Sequence, residues 1–275
     1  MDIKKINQYE AFHKIGESGL SVIYKAYDTE KQIQVSVKQL KPSVAVTRDL
    51  HKLKAYIGLE HPNLCTVHSV EEHEESIVVV SDYIDGTSLQ KLLVNSEFHE
   101  ENLLDLLLQI SNALSVLHKK NLPHGNLKPS NILITKNSQA ILTDAGLSPF
   151  ENFQNSPEFI APYEAYHYLS PEQIKNEAVG CQTDFFAIGV IAYRILFGRL
   201  PFDGKNEDEL IKSILFYQPQ FSELNSDSFH RINALLLGKL LAKDQKDRFV
   251  NTFELKATLQ EIKLIEQNNK EFLYY

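Results

Sequence analysis

The stretch His124-Gly125-Asn126-Leu127-Lys128-Pro129-Ser130-Asn131-Ile132-Leu133-Ile134, followed by Thr143-Asp144-Ala145-Gly146-Leu147, decides how this chain is read. A polar loop runs into a short apolar run, Asn131–Thr135, and a second run, Ala140–Thr143, leads back to Asp144. That is the pattern of a small hairpin. Asn131 and Asp144 flank it, which brings one amide oxygen near one carboxylate. Hard Mg²⁺ typically takes one or two protein oxygens of this kind and fills its shell with phosphate oxygens and water. Two turn residues at hairpin ends would explain either position alone, but the ensemble less well.

Upstream, Ile33-Gln34-Val35-Ser36-Val37-Lys38 alternates, so Ile33, Val35 and Val37 share one strand face and Gln34, Ser36 and Lys38 the other. A lone strand lysine is usually just solvated. Here the small Ser36 shares its face and leaves room for something flat beside an ammonium group. The loop Ile15-Gly16-Glu17-Ser18-Gly19-Leu20-Ser21 joins two strand candidates through small residues, which lets backbone N–H groups approach phosphates.

The texture changes near residue 85. Before it, the predicted strands are Tyr9–Gly16, Ser21–Tyr27, Ile33–Leu40, Cys65–Glu71 and Ser76–Asp82, with one helix at Val44–Leu59. After Gly86, Leu103, Leu107, Ile110, Leu114 and Leu117 recur at helical spacing, and further helices are expected near 182–197, 206–216, 228–242 and 252–267. This predicts an α+β architecture of two lobes, 1–84 and 85–275, with a ligand-binding crevice between them.

The 275 residues carry 28 basic and 36 acidic side chains, a formal net charge of -8. That balance argues against a nucleic-acid binder. Two cysteines, Cys65 and Cys181, are too few for a disulfide framework and suggest a reduced, cytoplasmic setting. The most apolar late stretch, Ala187 to Phe197, is too short to span a bilayer and contains Arg194, so it is expected as a buried helix rather than a membrane insertion.

Taken in order, these motifs resemble those of the protein kinase family over nearly the whole chain. Gly16 to Ala26 resembles the glycine-rich loop, Val35 to Lys38 the nucleotide-lysine strand and His124 to Asn131 the catalytic loop. Asp144 to Gly146 resembles the Asp-Phe-Gly motif and Ser170-Pro171-Glu172 the Ala-Pro-Glu motif. Asp184 to Gly189 is similar to the start of the family's central helix, and Asp244 to Arg248 supplies an arginine that would pair with Glu172. The resemblance implies a bilobal kinase fold that binds ATP and Mg²⁺ and acts on, or with, a protein partner. By resemblance, Lys38 would hold the α- and β-phosphates, Asn131 and Asp144 the Mg²⁺, and Lys128 the transferred phosphoryl group. Gly16 belongs to the phosphate loop. Ile15, Ile23, Ser36 and Leu133 would sandwich the adenine, Ser81 would be a small gatekeeper, the backbones of Asp82 and Ile84 would meet the adenine edge, and Ser88 would lie near the ribose.

The sequence departs from that pattern where chemistry is done. Asn126 stands at the position of the catalytic aspartate, and an amide cannot accept a proton near neutral pH. A positioned base contributes about 10²–10⁴-fold, so its loss should slow transfer severely. Lys52 falls where a glutamate partner of Lys38 is expected. Two ammonium groups about 4 Å apart repel by roughly 4 kcal/mol at an effective dielectric near 20, so Lys52 should point away, with Asp49 as a possible substitute. Ser18 and Ser21 replace loop glycines, Ala145 a phenylalanine, Gly125 an arginine and Ala165 a threonine. The chain therefore resembles a pseudokinase, a nucleotide-holding scaffold or allosteric regulator; the alternative is an active serine/threonine kinase with an atypical catalytic loop.

Overall fold

Alternating valines build the first half of the molecule. The structure, a computed structural model, describes residues 5–18, 21–41, 50–73, 76–147, 163–221 and 235–272. Six strands form one antiparallel sheet in the order β1 (Lys5–Ile6), β2 (Tyr9–Glu17), β3 (Ser21–Asp28), β4 (Ile33–Leu40), β6 (Ser76–Asp82) and β5 (Val67–His73). Val35 and Val37 of β4 and Val78 and Val80 of β6 are almost wholly buried in one cluster with Tyr24 and Ala26. Each such side chain contributes roughly 1.5–3 kcal/mol on leaving water. The other face of β4 turns Ser36 and Lys38 away from that cluster, as the period of two requires.

The expected helix Val44–Leu59 is shorter at its C-terminal end than its composition suggests. Residues 42–49, and with them Asp49, lie outside the described residues, and the visible helix α1 covers Leu50–Lys54. It ends in tight turns, with Tyr56 N–H donating to Leu53 O at 3.2 Å and Ile57 N–H to Lys54 O at 3.2 Å. Gly58 follows in the left-handed region, φ 71°, and its N–H donates to Val67 O at 2.9 Å, so the chain is drawn onto β5 instead of continuing as helix. Leu53 joins Leu40, Val70, Ile77, Val79 and Leu147 in a second cluster beneath the sheet.

A three-stranded sheet, β7 (Gly86–Ser88), β8 (Ile132–Thr135) and β9 (Ala140–Leu142), carries the expected hairpin, with β7 as an unexpected third strand. Around it pack α2 (Leu89–Val94), α3 (Leu103–His118), the single turns α4 (Tyr163–Tyr166) and α5 (Pro171–Ile174), α6 (Cys181–Phe197), α7 (Glu207–Phe216), a helical segment at 235–240, and α8 (Thr252–Phe272). The first part of the helix expected at 228–242 lies outside the described residues. Helix α6 is buried on every side from Thr183 to Tyr193, as a helix apolar all round must be. A Cβ on its Gly189 would meet the Leu241 side chain at 2.8 Å, so only glycine lets the helices come this close. No helix among the described residues is long and apolar enough to cross a membrane.

Candidate active site

A cavity of about 540 Å³ opens between the six-stranded sheet and the small one. Ser36 lies directly across the β4–β6 ladder from Ser81, and two short side chains leave the centre of the upper wall open. Ile15, Ile23 and Leu133 line the space with the backbone run Asp82 to Ile84 at its rear edge. Asp82 turns its carboxylate away from the cavity: Oδ2 accepts the Thr66 N–H at 3.0 Å and Oδ1 lies 2.9 Å from His68 Nε2. Its own N–H is spent on Thr66 O, whereas its carbonyl accepts the weak thiol donor of Cys65 at 3.5 Å. That carbonyl can still accept a stronger donor.

Charge gathers at the floor. Lys38 Nζ and Asp144 Oδ2 form an ion pair, with side-chain exposures of 14% and 21%. Lys128 also lines the cavity; burial lowers its pKa, the Asp144 carboxylate works to keep its proton, and Lys38 opposes that. Two ammonium groups around one carboxylate leave the floor with excess positive charge inside a chain of net charge -8. A cleft with that balance favours a polyanion. Asp144 has a φ of 64°, and Gly146 one of 74° with the Tyr56 ring 2.5 Å from where a Cβ would sit. No other residue fits there without displacing that ring, whose hydroxyl donates to Pro123 O at 2.7 Å.

The loop that carries Asn126 is held from below. Asp184 Oδ2 accepts the His124 N–H at 2.7 Å and lies 2.8 Å from His118 Nε2, while Oδ1 accepts the Gly125 N–H at 2.9 Å. His124 is fully buried, and its Nε2 lies 3.0 Å from Thr143 O while Asn126 N–H donates to Nδ1 at 3.3 Å, which fixes the neutral tautomer. Burial lowers its pKa to match. Gly125 sits at φ 70°, and Gln173 Nε2 reaches its carbonyl at 3.0 Å.

Within that frame Asn126 does what a carboxylate could not. Its Nδ2 donates to Leu147 O at 3.1 Å. Asn131 Nδ2 donates to Asn126 O at 2.8 Å, leaving Asn131 Oδ1 with one long contact from Ser130 Oγ at 3.4 Å. One amide oxygen and the remaining Asp144 oxygen thus stay available, a donor set that suits Mg²⁺ carried in by a phosphate ligand. Among the described residues no three His, Cys, Asp or Glu side chains gather as a metal site, so phosphate and water would complete any such shell.

Twelve of the fourteen candidate positions line this cavity: Ile15, Ile23, Ser36, Lys38, Ser81, Asp82, Ile84, Asn126, Lys128, Asn131, Leu133 and Asp144 make the wall and floor. Gly16 and Ser88 lie beside the lining. Gly16 pairs with Ile23 in the β2–β3 ladder, and Ser88 caps α2, its Oγ accepting the Lys91 N–H at 3.3 Å. Lys52 is exposed and faces a different cavity, away from Lys38, as the repulsion argument requires. Sequence reasoning missed Cys65, Val67 and Leu147 as lining residues. The alternation of Cys65–Glu71 could have signalled the first two; Leu147 is brought in by the turn at Gly146.

The protein kinase domain model matches residues 9–260. The chain belongs to the protein kinase family. It is 28% identical over 272 residues to a probable serine/threonine-protein kinase of Clostridium acetobutylicum, covering 96% of this chain and 41% of the relative. It is 25% identical over 277 residues to the probable serine/threonine-protein kinase PknB of Lactococcus lactis, covering 98% of this chain and 44% of that protein. To the serine/threonine-protein kinase PrkC of Bacillus subtilis it is 25% identical over 260 residues, 92% of this chain and 40% of the relative. The chain thus spans about two fifths of the length of these relatives. As a kinase-family chain it has the sheet-rich and helical halves of the bilobal fold. The Glu172–Arg248 pair expected from the motifs is present and bidentate, at 2.7 and 2.9 Å.

Proposed function

We propose that this domain binds a nucleoside triphosphate with Mg²⁺ and transfers phosphate poorly or not at all, serving as a scaffold or allosteric regulator of a protein partner in the cytoplasm. The lobes 1–84 and 85–275 act on this reading as one kinase-like unit around a single cleft. The observation that carries it is the side chain of Asn126, whose amide hydrogen is committed to Leu147 O. The position of a proton acceptor is held by a donor, and a substrate hydroxyl placed there finds no base.

Nucleotide binding has a different basis. Lys38 and Lys128 supply positive charge, Asn131 and Asp144 supply the oxygens for Mg²⁺, and Ser36 and Ser81 leave space for a flat ring. Because Lys38 and Asp144 are joined to each other here, a Mg-phosphate ligand must open that pair: the ammonium turns to phosphate oxygens and the carboxylate to the metal. Bound Mg²⁺ would neutralise phosphate charge; the chain's own residues hold and orient the group. The exchange makes this ion pair the element through which an empty and a filled cleft would differ toward a partner.

The test sets a nucleotide-binding measurement beside a phosphotransfer assay on the same preparation. Millimolar Mg-ATP should raise the melting temperature, since a ligand specific for the native state stabilises it. Labelled phosphate should reach neither the chain nor a generic peptide at rates above a Lys38→Met control. Brisk Mg²⁺-dependent transfer that Lys38→Met abolishes would instead establish the active-kinase reading, and no thermal shift would remove the nucleotide from it.

A further inference from the structure

Two hydroxyls sit side by side in the upper wall of the cleft. Ser36 of β4 and Ser81 of β6 are directly opposed in the antiparallel ladder, and both are half-buried and line the cavity. Directly opposed residues hold their Cβ atoms about 4.5–5.5 Å apart, so the two side chains reach into one space. Alanine at either place would complete the wall with the same small size and no polar atom.

The surroundings are apolar. Val67 stands opposite Ser81 on β5, Val79 stands opposite Lys38 on β6, and Ile23 and Leu133 line the same space. Ser36 Oγ has no hydrogen-bond partner among the described residues. Ser81 lies beside the Cys65 thiol, which burial pushes up to about 12 against the opposing pull of that hydroxyl. A neutral thiol is a weak acceptor, and its own donor goes to Asp82 O at 3.5 Å. Hydroxyls left in this condition cost free energy until a ligand answers them.

The neighbouring backbone selects the group that can do so. The Asp82 N–H is already bound to Thr66 O at 3.0 Å, so beside Ser81 the rear edge presents an acceptor, the Asp82 carbonyl. An exocyclic amine on a purine carries two N–H bonds on one nitrogen. With one of them on Asp82 O, the other lies beside ring N7 and faces away from the carbonyl, toward the serines. That edge of the base offers one donor and one acceptor, and two hydroxyls can answer both. An exocyclic oxygen in the same place would set an acceptor against the Asp82 carbonyl.

We propose that Ser36 and Ser81 are specificity-determining residues of the cleft, one hydroxyl accepting the second N–H of the base's amine and the other donating to ring N7. The assignment rests on the nucleotide reading of the cleft and adds the side chains that read the base. It is separate from the charged floor of Lys38, Lys128 and Asp144, which meets the phosphates. Discrimination of this kind is steep, because an analogue lacking the bonded atom leaves the site's own polar groups unpaired.

The experiment titrates the full chain calorimetrically, in Mg²⁺, with ATP, with 7-deaza-ATP, in which C–H replaces ring N7, and with purine riboside triphosphate, which lacks the amine. Wild type should bind ATP about tenfold more tightly than either analogue. Ser36→Ala and Ser81→Ala, made singly and together and checked for folding by urea unfolding, should each narrow the gap between ATP and 7-deaza-ATP. In the double variant it should close to within about twofold, while purine riboside triphosphate keeps the deficit that Asp82 O imposes. Equal binding of ATP and 7-deaza-ATP by wild type would overturn the proposal without any variant and leave the nucleotide reading standing. A folded double variant that keeps the full gap would overturn it as well. Failure of all three nucleotides to bind would remove the nucleotide reading, and this assignment with it.

Discussion

Two ion pairs, one deep in the helical half and one in the cleft, show what this chain keeps fixed and what it keeps free. Arg248 and Glu172 are 0% and 2% exposed, bidentate, and ringed by further acceptors and donors: Arg248 also reaches Ala242 O, Gln182 O and Lys243 O, and Thr183 caps Glu172. Lys38 and Asp144 are 14% and 21% exposed and form a single contact at the edge of a cavity. The first pair has every hydrogen-bonding site answered and nowhere to go. The second can be exchanged for a ligand and a metal at little expense, because water already reaches both partners. Structure is carried by the closed pair and binding by the open one.

The sharpest way to break that contrast is to remove half of each pair. Arg248→Met leaves a carboxylate buried without a counter-charge and should destabilise the domain by about 3–5 kcal/mol in urea unfolding. A loss below about 1 kcal/mol would mean the closed pair is not structural. The supporting network around Asp184 comes next. With His118 raised to about 9 from an ordinary 6.5, the native state holds a proton that the unfolded chain releases between those values. Its stabilisation is therefore complete below about pH 6.5 and disappears as pH rises through 9, a span worth about 3 kcal/mol. Lys243, lowered by burial to about 7, slopes the opposite way, so the quantity to measure is the difference between wild type and His118→Gln across that range. A difference that does not shrink with rising pH would sink the assignment.

The open pair predicts smaller effects that depend on ligand. Lys38→Met should change the stability of the ligand-free protein by no more than about 1 kcal/mol. It should also erase the roughly 2.7 kcal/mol that a nucleotide at a hundredfold excess over its Kd would add. Equal stabilisation of both proteins by Mg-ATP would place the nucleotide elsewhere. Smallest of all, Asn126→Asp sets a carboxylate against Leu147 O in place of an N–H donor and should destabilise by about 1 kcal/mol in thermal unfolding. An unchanged or raised stability would show that the amide is not fitted to its place.

Much of the cleft was legible because strand alternation is local. Val35 and Val37 point one way and Ser36 and Lys38 the other whatever the rest of the chain does, and the hairpin that follows Asn131 is equally local. What could not be read were the partners. Lys38 binds Asp144 across 106 positions of sequence, and no spacing rule relates those two residues. The short end of α1 was missed because Gly58 is captured by Val67 O, a contact made only once β5 is in place. Ser88, expected near the ribose, also caps α2 with its hydroxyl, a contact that depends on where α2 begins.

From the sequence came the order of strands and helices, the family, and the loss of a carboxylate at position 126, all of which depend on residue identity and nearest-neighbour geometry. Only the folded chain decided that Asn126 donates to Leu147, that Lys38 and Asp144 close on each other, and that His118 joins Asp184. Hydrogen bonds and ion pairs form between groups that packing brings within about 3 Å, and distances of that kind are set by the burial of a whole core rather than by any stretch of chain.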